Sequence, residues 1–185
     1  VCDQLPDEAF WNPMCEVLDW AVEQVTSTLC ACLATHAAFL HFHEIGRQPL
    51  PAKRWGVFPH RVVMEHPLVR GINTRFDVPH SRWNDISSKE MNRVDQLVLV
   101  ESVDAGVHLA TSADGLRLVF FQGHPEYDSF SLLKEYKREV NRFLSGELDA
   151  YPPFPDNYFT EEVYPVLDSF RKEAELARAQ NTSAR

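Results

Sequence analysis

The stretch Val25-Thr-Ser-Thr-Leu-Cys30-Ala-Cys32-Leu-Ala-Thr-His-Ala-Ala38 constrains the fold more than any other part of the 185-residue chain. Its β-branched residues favour a strand and the small residues that follow at once suit a helix. The run therefore reads as strand, sharp turn and helix. A cysteine on such a turn is carried past the end of the sheet, and the N-terminus of the next helix favours a thiolate. Cys32 is the candidate nucleophile, although the stretch by itself also fits a buried, unreactive cysteine. Cys30, two residues back along the strand, reads as core packing.

A second stretch bears on that choice. Leu116-Arg-Leu-Val-Phe-Phe-Gln122 reads as a buried strand and runs into Gly123-His-Pro-Glu-Tyr-Asp128. His124 and Glu126 lie two apart across a proline of fixed φ, so both side chains can turn to one side of an extended loop. Imidazole beside sulfur, with a carboxylate holding the imidazole tautomer, is the logic of a Cys-His-Glu triad.

Val25-Thr-Ser-Thr-Leu29, Cys32, Pro79-His-Ser-Arg82 and Gly123-His-Pro-Glu-Tyr-Asp128 together resemble the homoserine O-acyltransferases, also called homoserine transsuccinylases, of methionine biosynthesis. The resemblance runs from about Trp11 to about Gly146. It implies an α/β fold, a flavodoxin-like α/β/α sandwich of the class I glutamine amidotransferase type, with the family's first strands lying before Val1. On this reading residues 1–185 are a single domain, the C-terminal portion of the catalytic domain.

The resemblance also implies a reaction. Cys32 takes an acyl group from succinyl-CoA or acetyl-CoA, His124 acts as base, and Glu126 orients it. The Leu33 amide is one oxyanion donor, and the acyl group passes to the hydroxyl of L-homoserine. Lys53 and Ser81 fall on substrate-binding positions, and Arg138 on an arginine that holds the substrate carboxylate, a task its planar fork suits. Without the resemblance Lys53 reads as a solvated charge, and Arg138 as one of several cations with Lys134, Lys137 and Arg142. Around the nucleophile the chain departs from many members, with Leu33 and Ala34 in place of tryptophan and glycine. Ala34 is tolerable if its φ stays negative. The residue that selects the acyl donor maps at or beside Val1, so acetyl transfer and a serine acceptor stay open. A glutamine amidotransferase-like hydrolase and an inactive interaction module are the remaining alternatives.

Composition narrows the partners. A net charge of −9 argues against nucleic acid or an anionic membrane. Four cysteines, no secretory signal and no apolar run of membrane length fit a cytoplasmic protein with reduced thiols. His36, His41 and His43 invite a metal reading, but no spacing completes a ligand set, and no metal or bound cofactor is expected.

The remaining periodicities predict a helix capped by Asn12-Pro13 and running to about Gln24, and a helix from Leu33 to about Glu44 stopped by Gly46. An irregular region of short strands follows from Lys53 to Ile86, punctuated by prolines. Strands are expected over 96–100 and 107–111, then a helix from Ser129 to Leu144 closed by Gly146. A stiff connector at Tyr151–Pro155 leads to a last helix over 160–180, bent near Pro165. Val163, Val166, Leu167 and Phe170 would pack that helix on the body or on a second copy in a homodimer.

Overall fold

In the computed structural model, residues 4–183 are described; residues 1–3, Val1 and Cys2 among them, and the chain end at 184–185 lie outside them. The chain divides into two compact units, Val1–Pro125 and Glu126–Arg185.

The first unit is a six-stranded sheet with three helices. Helix α1 (Trp11–Gln24) leads to β1 (Thr28–Ala31) and, after the single residue Cys32, to α2 (Leu33–His43). Strands β2 (Gln48–Val62) and β3 (Arg75–Asp85) follow, then α3 (Ser88–Arg93), β4 (Leu97–Ser102), β5 (Gly106–Thr111) and β6 (Leu118–Phe121). The strand order is β1-β6-β5-β4-β2-β3. Only β1 and β6 pair in parallel, with Ala31 opposite Phe121; every other neighbouring pair is antiparallel. Leu18, Cys30, Phe39, Ile86, Met91 and Phe120 form the apolar core between the sheet and the helices.

Two long strands replace the expected irregular region, and the prolines are accommodated by position. Pro49 sits where the β2–β3 register shifts, between Pro49 and Arg54. Pro79 lies on the last strand of the sheet, and its carbonyl points out of the ladder to accept from the His124 amide at 2.9 Å. The Val57–Pro79 and Pro59–Asp77 pairs are therefore non-hydrogen-bonded positions, where a missing N–H costs the ladder nothing. Because β3 stands four places from β6 in the sheet yet meets the segment after β6, the sheet curls back on itself.

Helix ends also differ from expectation. Helix α1 begins at Trp11, so Asn12 and Pro13 lie inside its first turn. Helix α2 stops before Gly46. Glu44 adopts the left-handed conformation (φ 56°), and the amide of buried Ile45 donates to Phe39 O at 3.2 Å, a Schellman closure sealed by an apolar residue. The short helix α3 was unforeseen. Its signal is Ser87-x-x-Glu90, and the Ser87 hydroxyl accepts from the Glu90 amide at 3.2 Å.

The second unit pairs α4 (Ser131–Ser145), closed by left-handed Gly146 as expected, with α5 (Tyr164–Ser183). Pro165 lies in the first turn of α5 and starts the helix instead of bending it. Tyr151 and Phe154 of the expected connector belong to this unit's core. Their rings pack on Tyr136, and the Tyr136 and Tyr151 hydroxyls share a hydrogen bond of 2.8 Å. Val166 and Phe170 stay exposed. Among the described residues no helix is long and apolar enough to cross a membrane.

Candidate active site

Cys32 is the single residue between β1 and α2, and its backbone takes φ 47° and ψ −106°. A residue with a Cβ adopts such a conformation only when its surroundings hold it, at about 1–3 kcal/mol. Here the Cys32 amide donates to Phe121 O at 2.7 Å, and the Cys32 carbonyl accepts from the His36 amide at 3.2 Å. The Thr35 hydroxyl is shared between Cys30 O and Phe121 O, each at 2.9 Å. This sharp strand-to-helix turn has the form of a nucleophile elbow, which presents its side chain clear of both elements. Leu33 is the first residue of α2, and Ala34 keeps a negative φ, the condition set for it above.

The same strand end that anchors the elbow carries His124. Gln122 is buried, and its amide nitrogen gives its two protons to Ile86 O (2.9 Å) and Val107 O (3.1 Å). Its oxygen accepts from the Ile86 amide (2.8 Å) and lies 3.1 Å from His36 Nε2, which must therefore carry the proton. Burial pushes His36 down to about 4, so it stays neutral. His36 is structural, and it ties the helix of Cys32 to the strand of His124. Two residues beyond Gln122, the His124 amide is fixed on Pro79 O. Cys32 and His124 thus stand at the C-terminal ends of adjacent parallel strands.

Lys53 and Ser81 share another surface. Ser81 is opposite Trp55 in the β2–β3 ladder, and Lys53 Nζ lies 4.0 Å from the centre of the buried Trp55 ring. Ser81 does not share a face with its neighbours His80 and Arg82. Alternation along β3 turns His80 and Arg82 into the interior, away from Ser81. Arg82 is 3% exposed; burial lowers its affinity for its proton, while the carboxylate and hydrogen bond of Asp85 act to keep the guanidinium. Glu126 opens the second unit in the turn after His124. Arg138 lies on α4 with its side chain 63% exposed and 3.3 Å from Glu139.

Sequence reading missed Thr35, Gln122, Trp55, His60 and His108. The signal for the inward histidines is the twin pattern Phe58-Pro-His60 and Val78-Pro-His80, in which period-two alternation aims apolar residue and histidine the same way.

A family model described as homoserine O-succinyltransferase matches residues 3–177. The chain belongs to the homoserine O-succinyltransferase family. Homoserine O-succinyltransferase of Methylobacter tundripaludum is 57% identical over 176 residues, covering 95% of this chain and 50% of the relative. That of Allochromatium vinosum is 60% identical over 166 residues, covering 89% and 46%. The chain thus spans about half the length of the curated relatives it matches. Among solved structures, a glutamine amidotransferase from Thermotoga maritima superposes with a TM-score of 0.59 at 11% identity, over 94% of this chain and 71% of that one. One from Methylobacillus flagellatus gives 0.60 at 14%, over 94% and 69%. These neighbours show the class I glutamine amidotransferase-like fold that the family resemblance implied.

Proposed function

We propose that this chain carries the nucleophile and base of a homoserine O-succinyltransferase. The observation that carries the proposal is the elbow: Cys32 held at φ 47° with its amide on the carbonyl of Phe121, whose strand continues to His124. The names of relatives at 57% and 60% identity favour succinyl over acetyl and homoserine over serine.

In the first half-reaction His124 takes the Cys32 proton and the thiolate attacks the thioester carbon of succinyl-CoA. The C–S bond to coenzyme A breaks, its thiolate leaves with the proton from His124, and the succinyl group rests on Cys32. In the second, His124 removes the homoserine hydroxyl proton, the alkoxide attacks the new thioester, and O-succinylhomoserine leaves as Cys32 recovers its proton. One thioester replaces another in the first half, so the protein's part is positioning and oxyanion stabilisation. Positioning can supply about 7–11 kcal/mol. Leu33 heads α2, where first-turn amides lack intrahelical partners, and its N–H is assigned to the oxyanion. Glu126 orients His124. Lys53 and Ser81, joined through Trp55, are assigned to substrate together with Arg138, whose fork suits the homoserine carboxylate. Acyl-CoA as co-substrate fits a cytoplasmic setting, and no resident cofactor is required.

Intact-protein mass spectrometry of the full-length protein after brief exposure to succinyl-CoA tests the reading. A succinyl adduct on Cys32 that is discharged by homoserine, and is absent in Cys32→Ala, is expected. An adduct only from acetyl-CoA would reassign the donor, and glutamine hydrolysis without any adduct from an acyl-CoA would replace the reading.

A further inference from the structure

Beside the candidate site lies a group of buried imidazoles that the proposed chemistry does not use. Arg82 gives Nε–H to His80 Nδ1 at 3.2 Å. Its other protons go to Asn84 O (2.6 Å), Asp85 Oδ1 (2.7 Å) and Ala105 O (2.6 Å). A guanidinium only donates, so His80 Nδ1 must accept and the His80 proton sits on Nε2. That proton points to His60 Nε2 at 3.2 Å, which leaves the His60 proton on Nδ1, donated to Phe58 O at 2.8 Å. One guanidinium thereby fixes the tautomers of two stacked rings, whose centres are 5.0 Å apart and 9° from parallel. His108 stands edge-on to both, 5.5 Å from His60 and 6.0 Å from His80.

The three residues that deliver the base lie along the strands that carry this stack, and the middle one meets the rings. The Gln122 amide donates to His108 O at 2.9 Å, and the His124 amide to Pro79 O at 2.9 Å. Between them, a Cβ on Gly123 would lie 2.7 Å from His108 Nδ1, 2.8 Å from Val78 Cγ1 and 3.0 Å from His80 Cε1. No side chain fits that gap. His108 Nδ1, buried with no hydrogen-bond partner among the described residues, faces this backbone.

We propose that His60 and His80, oriented by Arg82, and His108, edge-on to both, are positioning residues: a seat that sets the height and angle of His124 toward Cys32. The proposal rests on the acyl-transfer reading above. It is tested by single-turnover succinylation in full-length protein carrying His60→Leu, which keeps the bulk but removes the acceptor for His80, and His60→Gln, which returns an acceptor near the place of Nε2. His60→Leu is expected to slow succinylation about tenfold or more with KM for succinyl-CoA unchanged, and His60→Gln to recover to within about threefold. Gly123→Ala leaves the hydrogen bonds of the stack in place and is expected to slow the step as much, which covers the case in which His60→Leu does not fold. Equal losses in the Leu and Gln variants, or wild-type rates in the Leu and Ala variants, would overturn the proposal. Should wild-type protein take no succinyl group, the acyl-transfer reading fails by itself. The seat is then read from the pH profile of iodoacetamide alkylation of Cys32, whose limb shifts in His60→Leu and not in His60→Gln; identical limbs would sink it.

Discussion

Toward β1 and α2, strand β6 is gripped by apolar side chains; beyond its other edge, the segment that follows it lies against buried imidazoles, one of which a guanidinium holds. On the first side Phe120 packs on Phe39 with ring centres 4.7 Å apart, among Leu18, Cys30 and Ala38. On the second, His60, His80, Arg82 and His108 are each 5% exposed or less. Apolar burial is strong but has no direction, whereas hydrogen bonds fix angles. On the first side the proposed nucleophile, Cys32, sits on a strained backbone. On the second, Arg82 dictates the tautomers of His80 and His60, the proposed seat of the base. Apolar burial is present on both faces of β6, the second cluster being Leu99, Val100, Leu109 and Val119, but the hydrogen-bonded imidazoles lie on one side only.

The largest expected effect comes from emptying the apolar side. Phe120→Ala should cost about 3–5 kcal/mol, the range for a buried phenylalanine. Urea unfolding followed by circular dichroism measures it, and a loss below about 1 kcal/mol would show that the apolar grip is weak.

Acid attacks the buried imidazoles, His36 on α2 as well as those on the other side. Burial pushes His36 down to about 4 and His108 to about 3, and it lowers His60 and His80 as well. Unfolded histidines bind protons near 6.5, so below that pH the unfolded chain gains protons that the folded one refuses. The stability these residues contribute is complete above about 6.5 and drains away as pH falls toward about 4 and about 3. Each histidine that charges only on unfolding steepens the fall by about 1.4 kcal/mol per pH unit. Urea midpoints from pH 7.5 to 5 should drop steeply in wild type and in Phe120→Ala alike, because Phe120 does not titrate and the buried histidines are the same in both. A flat profile would remove the histidines from the account.

The gentlest probe leaves both sides intact. Cys30 belongs to the apolar core and burial holds its thiol up at about 11, while Cys32 is half-buried at the elbow. Burial also raises Cys15, with the charge of Asp19 adding to it. Iodoacetamide at neutral pH should label Cys32 before Cys15 and Cys30, as peptide mapping would show. First labelling at Cys30 would place the reactive sulfur inside the core.

The parallel side was readable in the sequence because each of its devices is local. A β-branched run, one cysteine and a string of small residues spell strand, elbow and helix within 14 positions (25–38). His124 was legible for the same reason, since Gly-His-Pro-Glu directly follows an apolar strand. The antiparallel side was opaque. Pro59 and Pro79 act as breakers in a linear reading, and they are harmless only once the ladder shows which N–H groups it never uses. Likewise, nothing near His60, His80 or Arg82 along the chain announces that they are buried together; β2, β3 and β5 must first meet. Glu44 makes the same point at a helix end, where burial of Ile45 outweighs the presence of Gly46.

The His124 amide sitting on Pro79 has a consequence for solubility. Strand β3 closes the sheet, and an open edge of 11 residues is a template on which another chain can lay its own strand. Pro79 offers no donor there, and its carbonyl is already taken by the His124 amide. The segment that carries the imidazole is thus also the guard of the edge. Substitutions that lift it should be recognised first by aggregates in the purification, before any assay registers the loss of turnover.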